Sequence, residues 1–131
     1  MQRKAKGINA ERELVRLFWE RGWPAVRVAA SGATKNPSVD VLTGTPERKL
    51  AIEAKTTKDR RKYFSAGEIA QLTTFASKFG VEPWVAVKFA GEQWYFIAPN
   101  DLRKTEKGLC VTVESAKQYG VIIDELIVSA K

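Results

Sequence analysis

The chain contains no histidine, a single cysteine (Cys110) and a single methionine. The absence of histidine excludes an imidazole general base and every metal site that depends on histidine ligands. One cysteine cannot form an internal disulfide or a cysteine-rich zinc site, and it fits a reducing cytoplasm. No apolar run approaches the roughly 18 residues that a membrane-spanning helix needs. The charged N-terminus leads into no apolar stretch, so we expect no signal peptide and a cytoplasmic protein without membrane association.

Positive charge is abundant and unevenly distributed. The 131 residues carry a formal net charge of +7, and an apolar content of 44% is typical of a globular protein, here predicted as one domain over 1–131. Residues 1–62 contain 15 Lys and Arg against 7 Asp and Glu, whereas residues 63–131 contain 7 against 8. The excess is therefore confined to the first half, which begins with a basic arm over residues 1–7. This asymmetry indicates a polyanionic partner, with a merely solvated surface as the alternative.

Two acidic residues and a lysine interrupt short apolar runs in the basic half. Asp40 lies in one such run, and Glu53 and Lys55 lie in the next. The turn-forming segment 43–48 between the runs predicts a hairpin, which would set Asp40 beside Glu53. Because side chains alternate along a strand, Glu53 and Lys55 project from the same face. The hairpin would therefore gather two carboxylates and a lysine into one patch.

This acidic patch suits Mg²⁺, which prefers one or two carboxylates together with waters and phosphate oxygens. Asp40 and Glu53 would supply the carboxylates, and the backbone carbonyl of Ala54 would add a ligand. Lys55 would orient an attacking water or stabilise the charge of the transition state. Glu11 would complete the shell or hold a metal-bound water. We predict a Mg²⁺-dependent nuclease centre in which Mn²⁺ can substitute; the alternative is a surface Glu–Lys arrangement on an edge strand.

The first predicted helix spans about 9–21, with Asn9 as its N-cap and Gly22 just past its end. Its apolar stripe consists of Leu14, Leu17 and Phe18. Glu11 projects into the apolar sector. The helix dipole would explain a carboxylate near the helix N-terminus but not this sector, so a functional role is the alternative explanation. Glu13 falls in a different sector and is expected to face solvent.

Ser65 and Glu68 match a capping box, which predicts a second helix over about 66–79 that ends at Gly80. Its apolar stripe consists of Ile69, Leu72, Phe75, Ala76 and Phe79. Core packing is the default explanation of such a stripe. The pair Phe75 and Phe79 is equally compatible with an oligomer interface.

The remaining apolar runs predict strands, and the predicted strands cover 23–29, 38–42, 50–55, 84–89, 93–98 and 109–113. Residues 90–92 would form a tight turn between two of them. Residues 99–102 indicate a turn or short helix, and a last helix begins near Asp124. The pattern mixes helices and strands along a single α/β domain.

Basic and polar residues surround the acidic patch in sequence. Arg27 lies in an apolar run, where it either snorkels from a sheet edge or is reserved for an anion. The loop 30–37, with Ser31 and Lys35, ends just before the patch and is expected to border it. Ser31 is a candidate phosphate contact, although a turn residue is the simpler interpretation. The densest basic cluster, 56–62, follows the patch directly, where a phosphate backbone would pass.

These residues resemble known nuclease motifs. Asp40 followed by Glu53-Ala54-Lys55 resembles the PD-(D/E)XK signature, except that Pro37 stands three residues before the aspartate instead of directly before it. The chain more closely resembles the archaeal Holliday junction resolvase family over roughly its first 90 residues. The matching segments, in family order, are 6–7, 10–14, 26–32, 39–41, 52–55, 75–80 and 85–89.

The resemblance implies one restriction-endonuclease-like α/β domain, with a central mixed sheet of about five strands flanked by helices. It implies a nucleoid-associated homodimer that resolves four-way DNA junctions by paired Mg²⁺-dependent nicks in recombination and repair, with accessory recombination proteins as further partners. The implied catalytic residues are Glu11, Ser31, Asp40, Glu53 and Lys55. The implied DNA contacts are Arg3, Lys4, Lys6, Arg12, Arg27, Ser31, Lys35, Lys58, Arg60, Arg61 and Lys62. Phe75 and Phe79 fall where the family has aromatic dimer contacts.

Three alternatives stay open at this point. The chain could be another nuclease of the same fold that acts on duplex ends, flaps or tRNA. It could be a non-catalytic DNA-binding module with a vestigial site. It could also be an RNA-binding domain that uses Trp94, Tyr95 and Phe96 as surface aromatics, although core packing explains them more simply.

Overall fold

The computed structural model describes residues 2–29 and 36–128, with side chains from residue 6 onward. The helices are α1 (Gln2–Glu20), α2 (Ala66–Phe79), α3 (Val113–Tyr119) and α4 (Ile123–Val128), with a short 3₁₀ turn at Pro99–Asp101. The strands are β1 (Ala25–Arg27), β2 (Val41–Gly44), β3 (Lys49–Thr57), β4 (Arg61–Phe64), β5 (Glu82–Phe89), β6 (Trp94–Ile97), β7 (Arg103–Thr105) and β8 (Gly108–Thr112). Within the described ranges, no helix is both long enough and apolar enough to span a bilayer.

Five strands form the main sheet in the order β1-β2-β3-β5-β6. The sheet is mixed, because β3 and β5 run parallel while the other neighbours are antiparallel. A parallel pair requires a crossover connection, and the segment containing β4 and α2 provides it. The smaller sheet, β4-β8-β7, is antiparallel throughout. The predicted α/β fold with a mixed sheet of about five strands is confirmed.

Two apolar cores lie on opposite faces of the main sheet. On one face, Leu14 and Phe18 of α1 pack with Leu126 of α4 against Ile52 and Phe96. The other face is covered by α2, α3 and the smaller sheet, whose buried residues include Leu72, Ala116 and Val111. The sheet is thus enclosed by helices on one side and by helices with a second sheet on the other. Asp40 directly precedes β2 in this sheet, next to β3, which carries Glu53 and Lys55.

Local sequence signals predicted the boundaries of one helix correctly and the start of another incorrectly. The second helix has the predicted limits, because the capping box at Ser65 starts it and Gly80, in a left-handed conformation, ends it. The predicted N-cap Asn9 is wrong, because α1 already begins at Gln2 and Asn9 lies inside it. Most of residues 2–8 are good helix formers, so the helix continues through the segment predicted as a separate basic arm.

Three elements were not expected from the sequence. The charged strands β4 and β7 show no clear apolar alternation, so their pattern resembled a loop. The strand predicted over 109–113 is present as β8, but it ends at Thr112. The next residue, Val113, begins α3. A capping box formed by Thr112 and Ser115 stops the strand and starts the helix. The last helix begins at Ile123, close to the predicted start near Asp124.

Candidate active site

The hairpin of β2 and β3 brings the two acidic residues of the patch together. Val41 pairs with Ile52 in the antiparallel ladder, so Asp40, one residue earlier, lies beside Glu53. The backbone N–H of Asp40 donates to the carbonyl of Ile52 at 3.0 Å. The Asp40 carboxylate accepts a hydrogen bond from the backbone N–H of Ala54 at 2.9 Å. The main chain of the hairpin therefore fixes both the position and the orientation of Asp40.

Glu53 is held in a buried, negatively charged setting. Its side chain is 15% exposed, and its carboxylate lies 3.6 Å from the ammonium nitrogen of Lys55. Burial, and then the neighbouring charge of Asp40, raise the pKa of Glu53 to about 7, although Lys55 acts in the opposite direction. Two adjacent carboxylates that resist simultaneous ionisation form a natural site for a cation.

Lys55 stays protonated despite its partial burial. Burial alone would lower the pKa of its ammonium group, but the carboxylates of Glu53, Glu68 and Asp40 outweigh that effect and raise it. The contact with Glu68 Oε2 is 3.4 Å. Glu68 was recognised in the sequence only as a helix-capping residue. Glu68 lies on α2, well after β3 in the sequence, so no local pattern indicated that it contacts Lys55.

Glu11 reaches the same region from α1. Its half-buried carboxylate accepts a hydrogen bond from Arg27 Nη1 at 3.5 Å. Burial and then the charge of Asp40 raise the pKa of Glu11, while Arg27 and Lys55 oppose the shift. Among the described residues, no three carboxylates lie close enough together to enclose a metal ion. Asp40 and Glu53 therefore form the principal acidic pair, with Glu11 at their margin and bound to Arg27.

A basic groove lies between α1 and the ends of β3 and β5. The cationic residues that line it are Lys6, Arg12, Arg16, Lys58 and Lys88. Glu13, expected in solvent, instead accepts hydrogen bonds from Lys88 Nζ at 3.1 Å and from Trp94 Nε1 at 2.9 Å. The sequence analysis missed Arg16 and Lys88, because neither belongs to a charge cluster along the chain. The fold brings them to the groove from α1 and β5.

The basic cluster after β3 is only partly available for a ligand. Arg60 donates to the Glu114 carboxylate at 2.8 Å, and Arg61 donates to the Tyr63 hydroxyl at 3.2 Å. Lys58 is exposed, and Lys62 lies half-buried on β4. Ser31 and Lys35 lie outside the described residues, as do the side chains of Arg3 and Lys4.

The aromatic residues are divided between core and surface. Trp94, Tyr95 and Phe96 are buried, so the RNA-binding alternative that used them as surface aromatics is wrong. Phe75 is half-buried against the core, whereas Phe79 is 62% exposed, and their ring centroids lie 5.2 Å apart. Phe79 also lines an apolar groove together with the exposed side chains of Trp19 and Val26.

Comparisons with known proteins show which proteins this chain resembles in sequence and fold. Residues 2–131 match the family model described as archaeal Holliday junction resolvase (hjc). The chain is 40% identical over 123 residues to the crossover junction endodeoxyribonuclease Hjc of Archaeoglobus fulgidus, covering 94% of this chain and 90% of the relative. It is 32% identical over 129 residues to the Hjc of Sulfolobus acidocaldarius, covering 97% and 90%. The solved structure of A. fulgidus Hjc, a Holliday junction resolvase, matches with a TM-score of 0.85 at 36% identity, over 91% of this chain and 98% of that one.

Proposed function

The chain belongs to the archaeal Holliday junction resolvase family, and we propose that it cuts four-way DNA junctions at a centre formed by Asp40, Glu53 and Lys55. As a member of this family it is an endonuclease, a phosphodiester hydrolase. The observation that carries the site assignment is the hairpin register, which sets Asp40 beside Glu53 with Lys55 3.6 Å from the second carboxylate. A buried pair of carboxylates is suited to holding a divalent cation, and an adjacent ammonium is suited to stabilising the charge that develops during phosphodiester cleavage.

The donor set of the acidic pair fits a divalent cation. The charge of Asp40 opposes ionisation of Glu53, and a divalent cation held by these carboxylates would offset that repulsion. Asp40, Glu53 and the carbonyl of Ala54 would hold the ion, and Glu11 would hold a water at its margin. The ion supplies charge neutralisation and an acidified water when it is bound. Mg²⁺ is the proposed ion, with Mn²⁺ as a substitute, because oxygen ligands with open positions suit both.

Lys55 and Arg27 carry the positive charge that faces the substrate phosphate. Lys55 remains an ammonium ion at neutral pH and is placed to stabilise the negative charge that develops during cleavage. Arg27 neutralises Glu11 and can bind a phosphate oxygen with its remaining donors. Ser31 and Lys35, in the segment before Asp40, are proposed to contact the DNA near this centre.

The basic groove would receive a duplex arm of the junction. Three of its cationic residues, Lys6, Arg12 and Lys58, are suited to phosphate contacts that fix the position of the DNA without reading its bases. Arg16 and Lys88 also line the groove, but their side chains already contact Glu20 at 2.7 Å and Glu13 at 3.1 Å. The cluster of Arg60, Arg61 and Lys62 would extend the basic surface beyond the groove. Arg3 and Lys4 are proposed as further DNA contacts on the basis of the sequence alone. Junction choice would then come from the shape of the DNA and the placement of its phosphates.

A homodimer would supply the second centre that paired nicks require. One centre cuts one strand, whereas a two-fold dimer presents two centres to a nearly two-fold junction. The exposed side chains of Phe79, Trp19 and Val26 are the apolar surface most suited to this contact, with Phe75 behind Phe79. This dimer interface is part of the proposal, as are any contacts with accessory recombination proteins.

The substitution Asp40→Asn tests the assignment of the centre. The amide retains an acceptor oxygen for the Ala54 N–H but removes the charge needed for a cation. Junction cleavage with Mg²⁺ should fall on the order of 100-fold or more, because several kcal/mol of transition-state stabilisation are lost. Junction affinity in EDTA should change less than about threefold, because the phosphate contacts are unaffected. Asp101→Asn, at an exposed aspartate in the 3₁₀ turn away from the basic cluster, is the matched control, and undiminished cutting by Asp40→Asn would overturn the assignment.

A further inference from the structure

The two carboxylate oxygens of Glu68 make two different contacts. Oε1 accepts a hydrogen bond from the backbone N–H of Ser65 at 2.9 Å, while the Ser65 hydroxyl accepts one from the Glu68 N–H at 3.0 Å. These reciprocal bonds form the capping box that starts α2. Oε2 lies 3.4 Å from the ammonium nitrogen of Lys55. A single side chain therefore connects the first turn of the helix to the proposed active-site lysine.

Lys55 is placed between two carboxylates that come from different elements. Glu53 lies on the same strand, at 3.6 Å, and Glu68 comes from α2, at 3.4 Å. A lysine side chain has four flexible carbon–carbon bonds and loses substantial rotamer freedom when it is held in one geometry. A contact with Glu53 alone would allow the Lys55 side chain to adopt several rotamers that keep the ammonium near that carboxylate. A second contact from a capped helix terminus limits this motion.

From this geometry we infer that Glu68 is a positioning residue, which holds the Lys55 ammonium in place for cleavage. The inference rests on the proposed function, because it concerns the same lysine. Glu53 is shared between Lys55 and the proposed cation, whereas Glu68 is anchored by Ser65 and stays available to the lysine alone. Glu68 acts through Lys55 and contacts neither the DNA nor the cation in this assignment.

The capping contact and the lysine contact can be separated by mutation. In Glu68→Gln, the amide oxygen can still accept from the Ser65 N–H, because glutamine also serves in capping boxes, but the negative charge is lost. In Ser65→Ala, the hydroxyl is lost and the cap is weakened, but the charge beside Lys55 remains. The pair of variants therefore distinguishes a role in positioning from a role in helix stability.

The experiment measures single-junction cleavage kinetics with Mg²⁺, junction affinity in EDTA, melting temperature, and Mn²⁺ affinity by calorimetry for the wild type and both variants. For Glu68→Gln we expect kcat to fall about tenfold, with KM, junction affinity, Mn²⁺ affinity and melting temperature close to wild type. For Ser65→Ala we expect a lower melting temperature with kcat within about twofold of wild type.

Three results would overturn the inference. Wild-type kcat in Glu68→Gln would mean that Glu53 alone suffices to hold the lysine. Parallel losses of kcat and melting temperature in both variants would assign Glu68 a structural role only, and weaker Mn²⁺ binding by Glu68→Gln would place Glu68 in the cation site. Lys55→Ala is measured alongside: if it cuts as fast as the wild type, the proposed function of the lysine fails, and the inference fails with it for that separate reason.

Discussion

Replacing Glu53 by glutamine should stabilise the cation-free protein while abolishing its cleavage activity. Burial and the charge of Asp40 raise the pKa of Glu53 from its ordinary value of 4.5 to about 7. Ionising a carboxyl group in the folded protein is therefore harder than in the unfolded chain, and the difference corresponds to about 3 kcal/mol. Glutamine has nearly the same shape and no charge to ionise, so it removes this penalty.

The sign of the effect depends on pH. Between pH 4.5 and about 7 the folded state holds a proton on Glu53 that the unfolded chain has released, so wild-type stability falls as pH rises through this range. At pH 8 the full penalty is present, and Glu53→Gln should gain about 3 kcal/mol over the wild type. At pH 5 the gain should be below about 1 kcal/mol.

The assay is urea denaturation of the wild type and Glu53→Gln in EDTA, at pH 5 and pH 8. Glu106→Gln, at an exposed glutamate in the turn between β7 and β8, is the control and should show no comparable gain at either pH. If Glu53→Gln shows no gain in the free energy of unfolding at pH 8, or an equal gain at the two pH values, then burial and Asp40 do not oppose the ionisation of Glu53 and the account is refuted.

Three further predictions test other parts of the molecule. Glu82→Ala should lower the free energy of unfolding by about 3 kcal/mol in urea titrations, because it removes a carboxylate that accepts two hydrogen bonds from the 11%-exposed Arg48 side chain; a loss below about 1 kcal/mol would contradict this. Alanine at residues 60–62 should reduce the salt slope of junction binding by roughly 1 to 2 and not by 3, because Arg60 and Arg61 already have protein partners; an unchanged slope would exclude this cluster from the interface. Phe79→Asp should elute as a folded monomer from a sizing column, since this residue is 62% exposed and its substitution leaves the core intact; an unaltered elution volume would remove it from the proposed dimer interface.

Sequence patterns were sufficient for the limits of α2 and for the hairpin of β2 and β3, where short-range signals decide the structure. The limits of α2 follow from Ser65, Glu68 and Gly80, whose conformations depend on their immediate neighbours. The proximity of Asp40 and Glu53 follows from the geometry of a hairpin, because alternation and register leave few other arrangements. The sequence alone therefore predicts that Asp40 and Glu53 lie side by side.

Contacts between distant elements were beyond the reach of such patterns. Glu13 was expected in solvent, since no local signal places Lys88 and Trp94 above it. The proximity of Glu68 to Lys55 depends on how the crossover returns α2 to the sheet. The charged strands β4 and β7 lack the apolar alternation that reveals a strand, because they pair within a small sheet at the surface.

The most direct test of the central claim is cleavage of a labelled four-way junction beside a linear duplex of the same sequence, with Mg²⁺ or with EDTA. A resolvase that uses the acidic pair should make symmetric nicks confined to the junction, and only when Mg²⁺ is present. Equal cutting of the duplex would contradict junction selectivity, and cutting that persists in EDTA would contradict the proposed cation site.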